Sequence, residues 1–317
     1  MAGLLQSVRQ RVHGQGFSFV GAPSGNFILY LKLILTAIFW GGTFIAGRIV
    51  AHEVEPFSAA FLRFVIASAM LLGYLLKTHK RLPPINSRQF LAVTALGLTG
   101  VFAYNALFFA GLKTVTASRA SLIITSNPAF IAIFAALLFR DPLPLGKALG
   151  IMLSVAGAAI VVSKGHPQQI LTGNLGFGEL CIFGCVLSWV AYTLVGKVAL
   201  TRLSPLVSVT YACAIGALLL ALPAFSEALY PNLPSYSWLV WLSLAYLGFF
   251  GTALGFIWYY EGIRTIGPSR AGVFINIVPV SAILMAFFFL NESLDVSLTL
   301  GGACVFAGVY LANRVRG

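Results

Sequence analysis

The sequence predicts an all-α integral membrane protein of ten transmembrane helices, arranged as two inverted five-helix repeats with both termini in the cytosol. Three observations carry this. Of the 317 residues, 59% are hydrophobic and only 9% charged, whereas ordinary soluble domains carry roughly a quarter charged residues. The apolar stretches are continuous, as in FLAVTALGLTGVFAYNALFFAGL over 90–112, so a membrane barrel with its period of two is excluded. Finally, the second half repeats the first. Trp40 and Trp189, Gly47 and Gly196, and Pro56 and Pro205 lie 149 apart; Gly97/Gly248, Gly100/Gly251, Gly111/Gly262, Arg119/Arg270, Pro128/Pro279, Gly150/Gly301 and Gly157/Gly308 lie 151 apart. Unrelated apolar segments would match mainly at Leu, Ala and Val, so agreement at Trp, Pro and Gly marks a true repeat with one two-residue insertion.

Along the chain, residues 1–27 carry Arg9, Arg11 and His13 among Gly, Ser and Pro and read as a cytosolic tail. A cleaved signal peptide is the rival reading, but the span that follows contains Lys32 and Arg48 and has an internal counterpart, which favours retention. A spanning helix needs roughly 20 apolar residues. The sequence offers such stretches at about 28–50, 58–77, 88–112, 116–139 and 144–163, forming a first repeat over 28–163. After a linker, 164–174, they recur at about 175–200, 205–223, 237–264, 268–290 and 296–314, forming a second repeat over 175–317. Five helices is an odd number, so the two copies cross the membrane in opposite senses. Inverted repeats of this kind place a substrate site near the bilayer midplane and alternate its access by exchanging the conformations of the two copies.

The formal net charge of +12 reads as topology rather than nucleic-acid binding. With the N-terminus inside, only Arg48, Lys113, Arg119 and Lys164 fall in outer loops and Arg63 within the second span; the other Lys and Arg lie on the cytosolic side, as the positive-inside rule requires. The patch from Lys77 to Arg81 is basic enough to attract anionic headgroups. Cys181, Cys185, Cys213 and Cys304 fall inside spans and read as small apolar packers, with no disulfide implied. His13, His52, His79 and His166 are terminal or in loops, and no HExxH or midplane carboxylate pair occurs. No enzyme activity, metal site or cofactor is expected.

The runs FWGGTFIAGRIV, EPFSAAFLRF and TSNPAFIAIFAALLF, with the closures LLFRDPLPLGKALGIMLSVAGAAIVV and FFFLNESLDVSLTLGGACVFAGVYL, together resemble the drug/metabolite transporter superfamily, and within it the EamA-type exporters. The resemblance covers nearly all of residues 30–314. It implies movement of small metabolites, often amino acids and often outward, through a multi-pass protein of a bacterial inner membrane. The aromatic load of the presumed cavity is similar to that of aromatic amino-acid exporters of the YddG kind. One departure is that the first closure has Arg140-Asp141-Pro142 where the second has Asn291-Glu292-Ser293, so a family-style glutamate stands only in the second half.

Candidate substrate-binding residues follow from helical spacing. Trp40, Thr43, Phe44 and Gly47 share one face of the first span, and Trp189, Tyr192, Thr193 and Gly196 the corresponding face of the sixth, so two large rings are expected to face each other. Interfacial anchoring is the alternative for these aromatics. The third span adds Tyr104, Asn105 and Phe108, with Asn105 either interhelical glue or a substrate contact; the eighth adds Gly255, Phe256 and Tyr259. Pro128 and Pro279 should interrupt the fourth and ninth spans as kinks or gates, freeing the carbonyls of Ile124 and Ile275 beside Thr125 and Asn276. Together these could hold an ammonium group, unless the kinks serve packing alone. Arg63 is placed in the outer part of its span, where it either meets a substrate carboxylate, snorkels or forms an ion pair. Glu261 is expected to pair with Arg264 and Arg270. The expected cavity thus has many rings, few hydrogen-bonding groups and no central charge, and the expected partners are a small-molecule substrate and membrane lipids.

Overall fold

The computed structural model describes residues 27–139, 144–166, 168, 175–199, 203–266, 271–272 and 274–314. The expected tail before Phe27, the triplet Arg140-Asp141-Pro142, Arg270 and most of the linker lie outside the described residues. All regular structure among the described residues is helical. Among the described residues, eight helices are long and apolar enough to cross a membrane: α1 (Phe27–Glu53), α2 (Pro56–His79), α3 (Ser87–Leu112), α4 (Ala117–Leu138), α5 (Leu145–Val162), α6 (Phe177–Gly196), α7 (Pro205–Ser226) and α8 (Trp238–Ile263). The two remaining predicted spans are present as shorter apolar helices, α9 (Ile277–Leu290) and α10 (Val296–Arg314).

Local chemistry sets the helix boundaries. Pro56 and Pro205 open α2 and α7, where a missing N–H costs nothing. Asn86 and Gln89 close a reciprocal capping box at the start of α3. The interruption expected at Pro128 falls at Ser126, between helical segments Ala117–Thr125 and Asn127–Phe139. Beside the break Ser126 Oγ donates to Ile123 O at 2.6 Å and Thr125 Oγ1 to Ser121 O at 2.7 Å. Ahead of Pro279 the chain makes a short 3₁₀ turn, Phe274–Asn276, before α9.

Carboxylates fasten one end of the bundle, where α2, α4 and α8 begin with unmet backbone donors. Glu227 accepts from the N–H groups of Phe57 and Ser58 (3.2 and 2.7 Å), Glu292 from those of Ala117 and Ser118 (2.7 and 2.9 Å), and Glu53 from that of Ser237 (3.1 Å). Each negative charge also meets the positive end of a helix dipole. At the same end Lys113 pairs with Glu55 and Arg119 with Asp295, both at 2.6 Å. Partial burial works to raise the Asp295 pKa, but hydrogen bonds from Ser297 and the Leu298 N–H together with the Arg119 charge outweigh it and hold the carboxyl below its ordinary value.

Glycines set the closest helix approaches. On α5 and α10, Gly150 lies against Gly308 and Gly157 against Gly301; on α3 and α8, Gly97 lies against Ala212 and Gly216 of α7, and Gly248 against Arg63 and Ile66 of α2. Gly150–Gly308 maps onto Gly157–Gly301, and Gly97–Ala212 onto Gly248–Arg63, under the 149/151 spacing of the sequence. A core cluster that includes Phe44, Phe64, Phe108, Leu122, Cys213 and Leu244 runs through both halves.

Candidate functional site

The cavity is built around two departures from α-helical geometry that hydropathy gave no hint of. Gly97–Ala103 in α3 and Phe249–Leu254 in α8 are π-helical, at positions that correspond in the repeat. A π segment widens the helix by one residue and leaves carbonyls out of the regular ladder, and such segments recur at functional sites. Here polar side chains take up the loose carbonyls. Asn105 Nδ2 donates to Gly100 O and Val101 O (3.2 and 2.9 Å), Thr252 Oγ1 donates to Leu247 O (2.9 Å), and Trp40 Nε1 donates to Gly251 O (3.1 Å). Gly100 has no room for a side chain, because an added Cβ would sit 2.7 Å from an atom of the Tyr192 ring. That approach presses an α6 ring onto the first π segment.

Arg63 of α2 connects the two segments. Its Nη1 donates to Asn105 Oδ1 at 3.0 Å, and its Nε and Nη2 donate to Thr252 Oγ1 at 3.3 and 3.2 Å. Arg63, Asn105 and Thr252 are 8%, 2% and 0% exposed. The Arg63 side chain borders a central cavity with Tyr104, Asn105, Trp189, Tyr192 and Phe256, whose free space of ≈ 60 Å³ suits a few water molecules. A larger solute therefore needs the surrounding rings to move. The expectation of a cavity without central charge is thereby corrected, as is the alternative of an ion pair for Arg63: among the described residues it makes no contact with a carboxylate. The reason is reach. Arg63 lies seven residues into α2, roughly 10 Å below its start, and its side chain turns inward instead of snorkelling.

The rings form two groups. Trp189 stacks on Tyr192 (centroids 5.0 Å) and meets Tyr104 (5.5 Å), which stacks on Phe108 (6.0 Å). Trp40 meets Tyr259 (5.2 Å) and Phe256 (5.8 Å). The two tryptophans therefore do not pack on each other: Trp40 packs on rings of α8, and Trp189 on Tyr192 of its own helix and Tyr104 of α3. One group thus joins α1 to α8 and the other α6 to α3, helix pairs that correspond in the repeat.

Of the candidate residues named from sequence, Tyr104, Asn105, Trp189, Tyr192 and Phe256 line the cavity. Trp40, Phe108 and Tyr259 stand behind that lining. Thr43, Thr125 and Thr193 each return their hydroxyl proton to a carbonyl of their own helix, at Trp40, Ser121 and Trp189. Asn276 is exposed, apart from the cavity. Pro128 and Pro279 sit near the starts of the helical segments that follow the two breaks. Sequence reasoning missed Thr252 and left Arg63 open between a substrate contact, snorkelling and an ion pair. A buried arginine one helix away from an intramembrane Asn was the available signal. Tyr260 also turns inward, stacking on Phe256 (6.1 Å) and hydrogen-bonding Tyr192. Glu261 pairs with Lys32 at 2.9 Å; the pairing expected with Arg264 and Arg270 falls on side chains outside the described residues. Glu179 is buried and pairs with Lys164 at 3.0 Å.

Comparison with known proteins agrees with this architecture. The EamA-like transporter family model matches twice, over residues 27–163 and 176–314. Among curated relatives, the uncharacterized transporter YyaM of Bacillus subtilis (strain 168) is 30% identical over 287 residues, covering 90% of this chain and 94% of that protein. A probable terminal-alkyne amino-acid exporter of Streptantibioticus cattleyicolor is 28% identical over 287 residues, covering 89% and 92%. One chain of known crystal structure superposes with a TM-score of 0.63 at 20% identity, over 90% of this chain and 96% of that chain; that likeness concerns the fold alone.

Proposed function

The chain belongs to the EamA-like transporter family, and on that premise we propose that this multi-pass membrane transporter exports small, largely apolar amino acids, aromatic ones above all, by alternating access. The observation that carries the substrate class is the cavity itself, where Tyr104, Trp189, Tyr192 and Phe256 surround the polar pair Arg63 and Asn105. Rings offer stacking surface to an apolar side chain, and a buried polar group answers an amino-acid backbone at a depth where lone charges are costly. A relative named as a probable amino-acid exporter supports both the substrate class and the direction. A specificity of the YddG kind is the narrower form of this reading.

In this proposal the two matches of the family model are the two inverted halves, 28–163 and 175–317, and the substrate passes between them. The reciprocal glycine contacts and the two equivalent π segments support that arrangement. The carboxylate fastenings of Glu53, Glu227 and Glu292 gather at the end assigned to the outside, which supports a state closed outward. Both termini then lie in the cytosol of a cell whose inner membrane holds the protein. A single cysteine at Lys80, introduced into a background lacking the four native cysteines, is expected to resist impermeant maleimide in intact cells and to react after permeabilisation. Ready labelling of intact cells would reverse the orientation.

The substrate class is tested by a ligand scan of the purified protein, read as thermal stabilisation. Phe, Trp, Leu and Met are expected to raise the melting temperature in a concentration-dependent way. Stabilisation by nucleosides or sugar phosphates, with none by these amino acids, would overturn the reading.

A further inference from the structure

The polar and apolar parts of the cavity occupy equivalent positions in the two halves. Under the sequence spacing, Ala212 stands where the first half has Arg63, Phe256 where it has Asn105, and Val101 where the second half has Thr252. All three of these apolar counterparts line the same cavity as Arg63 and Asn105. The cavity therefore carries a hydrogen-bonded cation on one side and an apolar wall at the equivalent positions.

We propose that Arg63 is the receptor for a single carboxylate on the substrate, and that the wall of Val101, Ala212 and Phe256 takes the apolar body, so the solute enters in one orientation. The inference rests on the transport reading and narrows its substrate to a monocarboxylate with an apolar remainder. A guanidinium has five N–H donors. Three meet Asn105 Oδ1 and Thr252 Oγ1, leaving one donor on each Nη without a partner among the described residues. Two donors on neighbouring nitrogens suit a bidentate carboxylate. The neutral acceptors hold the cation in place without discharging it, so a full positive charge stands buried in the bundle. Burying an uncompensated ion at this depth is costly, and a substrate that brings the counter-charge removes the cost. One arginine with an alanine at the equivalent position matches one negative charge, which disfavours dicarboxylates and phosphate esters. Because Arg63 also ties α2 to the π segments of α3 and α8, an arriving carboxylate touches the group that joins both halves.

The test compares three probes of equal ring size on the full-length protein in nanodiscs: L-phenylalanine, 3-phenylpropionate, which lacks the ammonium, and phenethylamine, which lacks the carboxylate. Binding is read by intrinsic tryptophan fluorescence and thermal stabilisation. The expected result is binding of the two acids and none of the amine, with Arg63→Gln weakening the acids at least about tenfold and Arg63→Lys weakening them less. Phenethylamine binding as well as 3-phenylpropionate, neither acid binding, or a folded Arg63→Gln protein with wild-type affinity would each overturn the proposal. Should Arg63→Gln fail to fold, the wild-type probe series decides alone. Binding of 3-phenylpropionate without phenylalanine transport would leave the Arg63 assignment standing and defeat the amino-acid export reading.

Discussion

Replacing Gly308 with valine is expected to eliminate folded monomer from detergent extracts, while Gly73→Val is expected to leave it near wild-type amount. A Cβ added at Gly308 would stand 2.6 Å from Gly150 O and 2.7 Å from Ser154 Cα, and one added at Gly157 would stand 2.6 Å from Gly301 O. These neighbours are backbone atoms, so no rotamer change relieves the clash and α5 must part from α10 along its length. In a bilayer the hydrophobic effect does not hold two helices together, so their association depends on close van der Waals contact and interhelical hydrogen bonds. Overpacking a close contact costs roughly 1–3 kcal/mol even where neighbours can adjust, and here they cannot. At Gly73 an added Cβ meets nothing within 4 Å. Fluorescence-detected size exclusion of the two variants measures the effect, and equal monomer peaks would show that the α5–α10 seam does not limit folding.

Trp189→Ala is expected to lower transport of an aromatic substrate about tenfold or more with only a modest fall in melting temperature. The indole borders the cavity, stacks on Tyr192 at 5.0 Å and meets Tyr104 at a tilt at 5.5 Å. Aromatic pairs contribute about 0.5–1.5 kcal/mol beyond their buried area, and removal of the ring also widens the space a solute must fill. Trp40→Ala is expected to reduce transport by a different route, since its Nε1 holds Gly251 O in the second π segment. Trp40→Phe keeps a ring and loses that donor, so transport midway between wild type and Trp40→Ala would assign the remainder to the hydrogen bond. If Trp40→Ala and Trp189→Ala both transport like wild type, the rings do not form the substrate path.

The fold was legible in the sequence because its determinants are repetitive and coarse. Apolar runs of span length and the recurrence of Trp, Pro and Gly at 149 or 151 residues required no knowledge of packing. The site was legible only in part. Tyr104, Asn105, Trp189 and Tyr192 were reachable by helical spacing, since large or polar groups on one face of an apolar helix must face protein or cavity. The π segments were not, because inserting one residue into a helical turn leaves hydropathy unchanged and shifts every side chain after it by about 100°. Arg63 was underrated because its position was judged by its Cα near the start of α2, whereas a long side chain delivers its charge far from its backbone. Thr252 looked like any helical threonine; only its hydroxyl's bond to Leu247 O and the approach of Arg63 give it a role. Asn276 stands exposed away from the cavity for a similar reason, since it ends the 3₁₀ turn ahead of α9 and is not on the regular helix that the spacing assumed.

The central claim, that an apolar amino acid passes through this cavity, is tested most directly by counterflow in proteoliposomes containing the purified protein. With unlabelled L-phenylalanine inside and a trace of labelled L-phenylalanine outside, the account predicts transient, saturable accumulation of label that is competed by Trp, Leu and Met and lost in Trp189→Ala. Accumulation no greater than in protein-free liposomes, with counterflow of a sugar phosphate under the same conditions, would contradict it.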